Sequence, residues 1–251
     1  MLEGIDGRVA FVSGAGQGIG RATAERLAAE GAIVCVNDID DRRARAVAAA
    51  LGGLAAPFDV SDSAAVRDGL AACEAELGPI DLLVANHAYM TMAPFLEQDD
   101  SELVRHLTVN LLGTAWLIRA CAPAMAGRGY GRIVAIASEW GQIGWPEATE
   151  YAASKGGIIA LVKSVARRYA GAGVAVNAVG PGVTDTPQLD VDAGAAGLTH
   201  EEMVAVYARD IPLGRVGSPA DVAATVAFLL STPAIAFVGQ VLGPNGGSTR
   251  I

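Results

Sequence analysis

Short runs of apolar, β-branched residues alternate along this chain with longer Ala-rich stretches in which apolar positions recur at helical spacing. "RVAFVSG" precedes a helical pattern over Ile19 to Glu30, "AIVCVND" one over Arg42 to Leu51, and "LAAPFDV" one over Ala64 to Leu77. "IDLLVAN" precedes Ser101 to Met125, "GRIVAIAS" precedes Glu150 to Ala170, and "VAVNAVGPG" leads into a segment without a period. The short runs are apolar throughout rather than at every second residue, the pattern of strands covered on both faces. Strand and helix in alternation predict an α/β fold, a doubly wound parallel sheet between two helical layers, as a single domain over residues 1–251. "PQLDVDAGAAGLT", Pro187 to Thr199, keeps neither period and predicts a mobile substrate loop around residues 186–210.

Composition narrows the functional classes. With 52% hydrophobic residues the chain can bury a full core, yet no uninterrupted apolar run approaches the ~20 residues of a membrane span. A net charge of −9 gives no basic face for nucleic acid or an anionic membrane, which leaves a small molecule as the expected partner. Cys35, Cys73 and Cys121 are scattered without metal-ligand spacing, and the N-terminus lacks a basic, then apolar, leader; free thiols and a cytoplasmic location are expected. His87, His106 and His200 are isolated, so no zinc motif forms, and G-x-S-x-G is absent.

Three stretches carry chemistry. In "SGAGQGIG", Ser13 to Gly20, the residues Gly14, Gln17, Gly18, Ile19 and Gly20 lie between a strand and a helix, where glycines let a pyrophosphate approach the helix N-terminus. Asp38, eighteen residues past Gly20 at the end of the second strand, can accept from ribose hydroxyls and would repel a 2′-phosphate, so NAD is expected ahead of NADP. Arg42 and Arg43 come late for a phosphate contact, and neither Gln17 nor Ile39 supplies a cation. In "YAASK", Tyr151 and Lys155 are four apart and share one helix face. A phenol with pKa about 10 is a poor base at neutral pH, and an ammonium about 4 Å away at an effective dielectric of about 20 offers roughly 4 kcal/mol toward its ionisation. Ser138 ends the strand "GRIVAIAS" at the carboxyl edge of the sheet, where open α/β folds bind ligands. Asn110 lies inside an apolar helical stretch, where its amide needs partners.

These stretches, with Asp59 at the third strand's end, "PGVTDT" at Pro181 to Thr186 and "PLGRVGSPADVAATVAFLLS" near the C-terminus, resemble the short-chain dehydrogenase/reductase family over essentially the whole chain. The resemblance implies a Rossmann-like fold and an NAD(P)-dependent oxidoreductase acting on alcohols or ketones. It implies Tyr151 as general acid/base, Ser138 orienting the reacting oxygen, Lys155 holding the nicotinamide ribose, and Asn110 serving a proton relay. It further implies adenine contacts at Asp59 and Val60, cofactor contacts at Asn86, Ala88, Pro181 and Gly182, and a carboxamide held by the backbone of Thr184 and the hydroxyl of Thr186. A homotetramer is the assembly it implies. Two departures stand out: "ANHA", Ala85 to Ala88, where the family usually has Asn-Asn-Ala-Gly, and Asn245, where aspartate is common.

Strand ends and the irregular segment nominate Tyr89, Met90, Glu139, Trp140, Gln142, Trp145, Gln188, Met203 and Tyr207 as the substrate pocket. A carboxylate directly after Ser138 suits a polyol, sugar or amino alcohol and disfavours an anion. A 3-oxoacyl thioester reductase using NADPH is the second reading, drawn from "GRVGSPADVA", and a catalytically silent NAD-binding regulator is the third.

Overall fold

A computed structural model of the chain describes residues 2–249; Met1, Arg250 and Ile251, the ends of the expected domain, lie outside the described residues. The first strand, β1 (Val9–Val12), is buried at all four positions, as its unbroken apolar run requires. It is followed by α1 (Gly18–Ala29), β2 (Ile33–Val36), α2 (Asp41–Leu51), β3 (Leu54–Ala55), α3 (Ser63–Leu77) and β4 (Ile80–Ala85). Then come α4 (Asp100–His106), α5 (Gly113–Arg128), β5 (Gly131–Ile136), α6 (Trp140–Ile143), α7 (Thr149–Tyr169) and β6 (Val174–Val179). The chain ends with α8 (Pro187–Ala196), α9 (His200–Ala208), α10 (Pro219–Leu230) and β7 (Val241–Leu242).

The strands form one parallel seven-stranded sheet in the order β3-β2-β1-β4-β5-β6-β7. Chain order reverses beside β1, between β2 and β4, so the carboxyl ends of β1 and β4 flank a crevice. One face of the sheet buries Phe11, Leu83, Ile133 and Val176 against Val66 of α3, Leu117 of α5 and Ile158 and Val162 of α7. The other buries Val12, Val34, Leu82 and Val134 against Leu27 of α1 and Val226 and Leu230 of α10. The sheet is thus covered on both sides, as its apolar runs predict.

The stretch from Asp100 to Arg128 is one continuous helix, interrupted by a π-helical turn at Leu107–Leu112. By length and composition it could cross a membrane, and 44% of its most apolar window is buried inside the protein.

Two expectations need correction. Residues 187–208 are not an irregular loop: Pro187 occupies the first turn of α8, Gly197 closes it in the left-handed region at φ 68°, and Thr199 with Glu202 forms a capping box on α9. The two helices bury Leu189, Ala193 and Met203 in a small core of their own. So few apolar positions leave no legible stripe in an Ala/Gly/Asp-rich segment. Nor are all three cysteines free, because Cys35 of β2 and Cys73 of α3 are joined as a disulfide with Cα atoms 6.8 Å apart. Cys121 stays free and buried, and burial pushes its thiol up to about 12.

Candidate active site

Two adjoining hollows open at the carboxyl edge of the sheet, a groove of about 610 Å³ and a cavity of about 210 Å³, with Ile19, Asn86, Ala88, Thr186 and Gln188 lining both. Gly14, Gln17 and Gly18 line the groove on one side, with Gly14 and Gly18 at φ 59° and 54°, where a side chain would be strained. Gly20 lines neither hollow; a Cβ there would collide with the Gly14 carbonyl, so it lets the helix close onto its own turn.

The groove tests well for an anion. At the N-terminus of α1, Gln17 makes no side-chain cap and the first turn holds no acidic residue, so its N–H groups face the groove without a side-chain acceptor. By contrast, α2 and α3 are capped by Asp40 and Asp62. Asp38 is buried at the groove wall, its Oδ2 accepting from Gly16 N at 3.0 Å and its Oδ1 from Asp40 N at 2.9 Å. Arg43 corrects the expectation that no cation lies near. The Asp40 cap turns the first turn of α2 back over the glycine turn, and Arg43 donates to Gln17 Oε1 at 2.8 Å while reaching within 3.4 Å of Asp38 Oδ1. Asp59 and Val60 line the same groove, as expected. These residues fit the ribose and pyrophosphate of a dinucleotide.

Ser138, Tyr151 and Lys155, drawn from the end of β5 and the first turns of α7, converge on the cavity. Ser138 Oγ accepts from Trp140 N at 3.1 Å. Trp140 presents itself edge-on to Tyr151, with ring centres 6.2 Å apart, and Trp145 stacks behind Trp140 at 5.0 Å. The electrostatics differ from the expectation. Lys155 Nζ donates to the Ile136 carbonyl at 2.7 Å and stands 5.5 Å from the Tyr151 ring centre, so among the protein's own groups burial decides. It pushes Tyr151 up to about 12, opposed by the Ser138 hydroxyl, and Lys155 down to about 7.

Asn110 lines neither hollow but lies behind them in the π-helical turn, fully buried. Its Oδ1 accepts from Tyr89 N at 2.7 Å, and its Nδ2 donates to Tyr89 O at 2.9 Å and to Ser154 Oγ at 3.0 Å. Ser154 Oγ donates in turn to Tyr151 O at 2.7 Å, so the central serine of "YAASK", which its spacing alone did not mark, ties Asn110 to the tyrosine's turn.

Pro181, Gly182, Thr184 and Thr186 line the cavity, with Met90, Glu139, Trp140, Gln188 and Tyr207 from the nominated pocket. Gln142 and Trp145 do not, because α6 turns Gln142 outward and Trp145 backs Trp140. Met203 is buried beneath α8, and Tyr89 faces the groove instead, donating to Glu102 Oε2 at 2.7 Å under the Arg105 guanidinium. Asp192 is an addition: it accepts from Gln188 Nε2 at 3.0 Å, and burial pushes its carboxyl up. Glu139 Oε2 accepts from Ser248 Oγ, and from Thr249 Oγ1 at 3.3 Å, which fastens the C-terminal segment to the cavity wall.

Known proteins resemble this chain over nearly its whole length. The family profile described as enoyl-(acyl carrier protein) reductase matches residues 14–249. Galactitol 2-dehydrogenase of Agrobacterium fabrum is 36% identical, covering 97% of this chain and 98% of the relative. Cis-4-hydroxycyclohexanecarboxylate dehydrogenase of Sinomonas cyclohexanicum is 37% identical over the full length of both, and 3-oxoacyl-[acyl-carrier-protein] reductase of Escherichia coli is 35% identical over 96% of this chain and 97% of the relative. A crystal structure titled ribose-5-phosphate isomerase, from Brucella melitensis, superposes with a TM-score of 0.90 at 35% identity, covering 97% of this chain and 92% of that one. So wide a range of titles on one fold leaves the substrate to the site.

Proposed function

We propose that this chain, which belongs to the short-chain dehydrogenase/reductase family, is an NAD-dependent oxidoreductase interconverting a secondary alcohol of the diol, polyol or sugar class and its ketone. The observation that carries this reading is the convergence of Ser138, Tyr151 and Lys155 on a cavity that adjoins the uncapped helix N-terminus of the groove. A nicotinamide dinucleotide supplies the hydride acceptor or donor when bound. The glycine turn and the α1 N–H groups bind its pyrophosphate, Asp38 accepts from ribose hydroxyls, and Thr184 and Thr186 hold the nicotinamide end. Ser138 orients the substrate oxygen and Tyr151 exchanges the proton with it. Tyr151 must give up its own proton before it can take one from the alcohol, so alcohol oxidation is faster as pH rises.

The preference for NAD rests on the Asp38 carboxylate, held in place by the Gly16 and Asp40 N–H groups, which opposes a 2′-phosphate. The substrate class rests on charge. Glu139 and Asp192 bring two carboxylates to the cavity wall, while the ammonium of Lys155 is directed at a backbone carbonyl. Acceptors of that kind suit a neutral, hydroxyl-rich substrate. Relatives named galactitol 2-dehydrogenase and sorbitol dehydrogenase support the same class. A 3-oxoacyl thioester reductase using NADPH is the second reading, favoured by Arg43 at the groove wall. Nicotinamide absorbance, followed with NAD and NADP against polyols, cyclic alcohols and 3-hydroxyacyl thioesters, separates the two. NAD-linked polyol oxidation is expected; turnover restricted to NADP and thioesters would replace this reading with the second.

A further inference from the structure

His87 stands where no proton-transfer step needs it. Its ring is buried, and both nitrogens are engaged: Nε2 lies 3.1 Å from the Val109 carbonyl and Nδ1 2.7 Å from Ser13 Oγ. A carbonyl only accepts, so Nε2 carries the proton and Nδ1 accepts from the Ser13 hydroxyl. Ser13 Oγ then accepts the backbone N–H groups of Asn86 at 3.0 Å and His87 at 3.3 Å. One end of the imidazole is therefore fixed to the residue that opens the glycine turn, and the other to the residue before Asn110 in the π-helical turn. Burial, with the Lys155 charge adding to it, holds the ring down to about 3, so it stays neutral near neutral pH. Gly113 completes the arrangement, since a Cβ there would come within 2.8 Å of His87 Nε2, and 3.1 Å from the Val60 carbonyl. The ring passes where the helix has given up a side chain.

We infer that His87 is a positioning residue, a two-ended strut that sets the spacing between the glycine turn of the groove and the π-helical turn that carries Asn110. The inference rests on the groove taking a dinucleotide, as proposed above, for its binding arm only. Truncation frees both turns. Asparagine places an acceptor where Nδ1 was and cannot reach Val109, whereas glutamine places a donor where Nε2 was and leaves the Ser13 hydroxyl only the Val84 carbonyl, at 3.4 Å, to donate to. The two ends can therefore be cut separately.

The test compares His87→Ala, His87→Asn and His87→Gln by hydrogen exchange at residues 107–114, thermal unfolding, calorimetric binding of NAD and, with an active substrate, kcat. For His87→Ala, exchange in the π-helical turn should quicken about tenfold, with NAD Kd rising and kcat falling by comparable factors, as expected for one buried hydrogen bond lost at each end. His87→Gln should restore the exchange protection and kcat but not Kd, and His87→Asn should restore Kd but neither of the others. Gly113→Ala should mimic His87→Ala, and the double variant His87→Ala/Gly113→Ala should be no worse than either single change. Equal losses in all three His87 variants would reduce the ring to packing and overturn the strut, as would normal exchange, Kd and kcat in His87→Ala. If the wild-type protein binds no NAD, the dinucleotide reading falls, while the exchange arm still decides for or against the strut.

Discussion

α1 and α8 both begin at the site without a side-chain cap, and the chain holds them by different means. α1 buries Thr23, Ala24 and Leu27 against α10 and the sheet, and Asn86 Nδ2 stitches its turn in place through Ser13 O at 3.1 Å and Gly14 O at 3.0 Å. α8 shares with α9 a small core of Leu189, Ala193 and Met203, edged by the partly buried Val183, Leu198, Val204 and Tyr207. His200 of α9 adds a tie, its Nε2 lying 3.1 Å from Asp185 and its Nδ1 2.8 Å from Asp190. The cofactor side of the site thus belongs to the main core and cannot shift without disturbing the sheet. The substrate side rests on a separate cluster, whose shape can change at little cost to the rest.

The largest effect is expected where the two sides meet. Tyr151→Phe should lower kcat by about 10²–10⁴-fold while calorimetric NAD binding stays within about twofold, because only the proton exchange is removed. Next comes a direct contrast of the two cores. Leu27→Ala should cost about 2–5 kcal/mol and lower Tm by roughly 5–15 °C. Leu189→Ala should lower Tm by less than about 3 °C, yet raise the substrate KM and expose residues 187–208 to protease. Equal Tm losses would mean that there is one core rather than two. On the cofactor side, Asp38→Ser should move the NAD/NADP ratio of kcat/KM toward NADP by about 10–100-fold, with Arg43 released from its carboxylate and the substrate profile unmoved.

On the substrate side, Glu139→Gln or Asp192→Asn should improve turnover of an anionic alcohol relative to a matched neutral one by about three- to tenfold, leaving NAD binding alone. An unchanged profile would detach substrate choice from these carboxylates. The smallest effect concerns His200. The Asp190 hydrogen bond raises its pKa, with the charges of Asp185, Asp190 and Glu201 adding. A raised histidine contributes stability that is complete below about pH 6.5 and is lost as pH climbs through the folded-state value. Protection against hydrogen exchange in residues 187–208, corrected for the intrinsic base-catalysed rate, should therefore fall as pH rises above about 6.5, and His200→Gln should abolish that fall.

The same contrast explains what the sequence could and could not tell. Runs such as Val9–Val12 and Gly131–Ile136 are apolar because both faces of the sheet are covered, so β1, β4, β5 and β6 and the helices between them were legible, and with them the convergence of Ser138, Tyr151 and Lys155. The signals for α8 and α9 were also present, in Pro187, Gly197 and the Thr199/Glu202 box, but three buried residues make no stripe, and caps without a stripe read as turns. Other features depend on three dimensions. Cys35 and Cys73 are 38 residues apart on facing elements, and Arg43 reaches the groove only because Asp40 starts α2 beside it. The i,i+4 spacing of Tyr151 and Lys155 identified a shared face correctly but not the Ile136 carbonyl that draws the ammonium aside.

The π-helical turn also bears on how this chain tolerates length change. Each helical residue advances the side-chain direction by about 100°, so a turn holding one residue more than an α-helix absorbs that residue between two ends already fixed by their neighbours. Deleting a single residue between Leu107 and Leu112 would leave the flanking segments, α4 and α5, free to pack as before, joined by an uninterrupted α-helix. The Asn110 amide would swing away from Tyr89 and Ser154. Such a deletion is therefore expected to spare expression and solubility while silencing the protein.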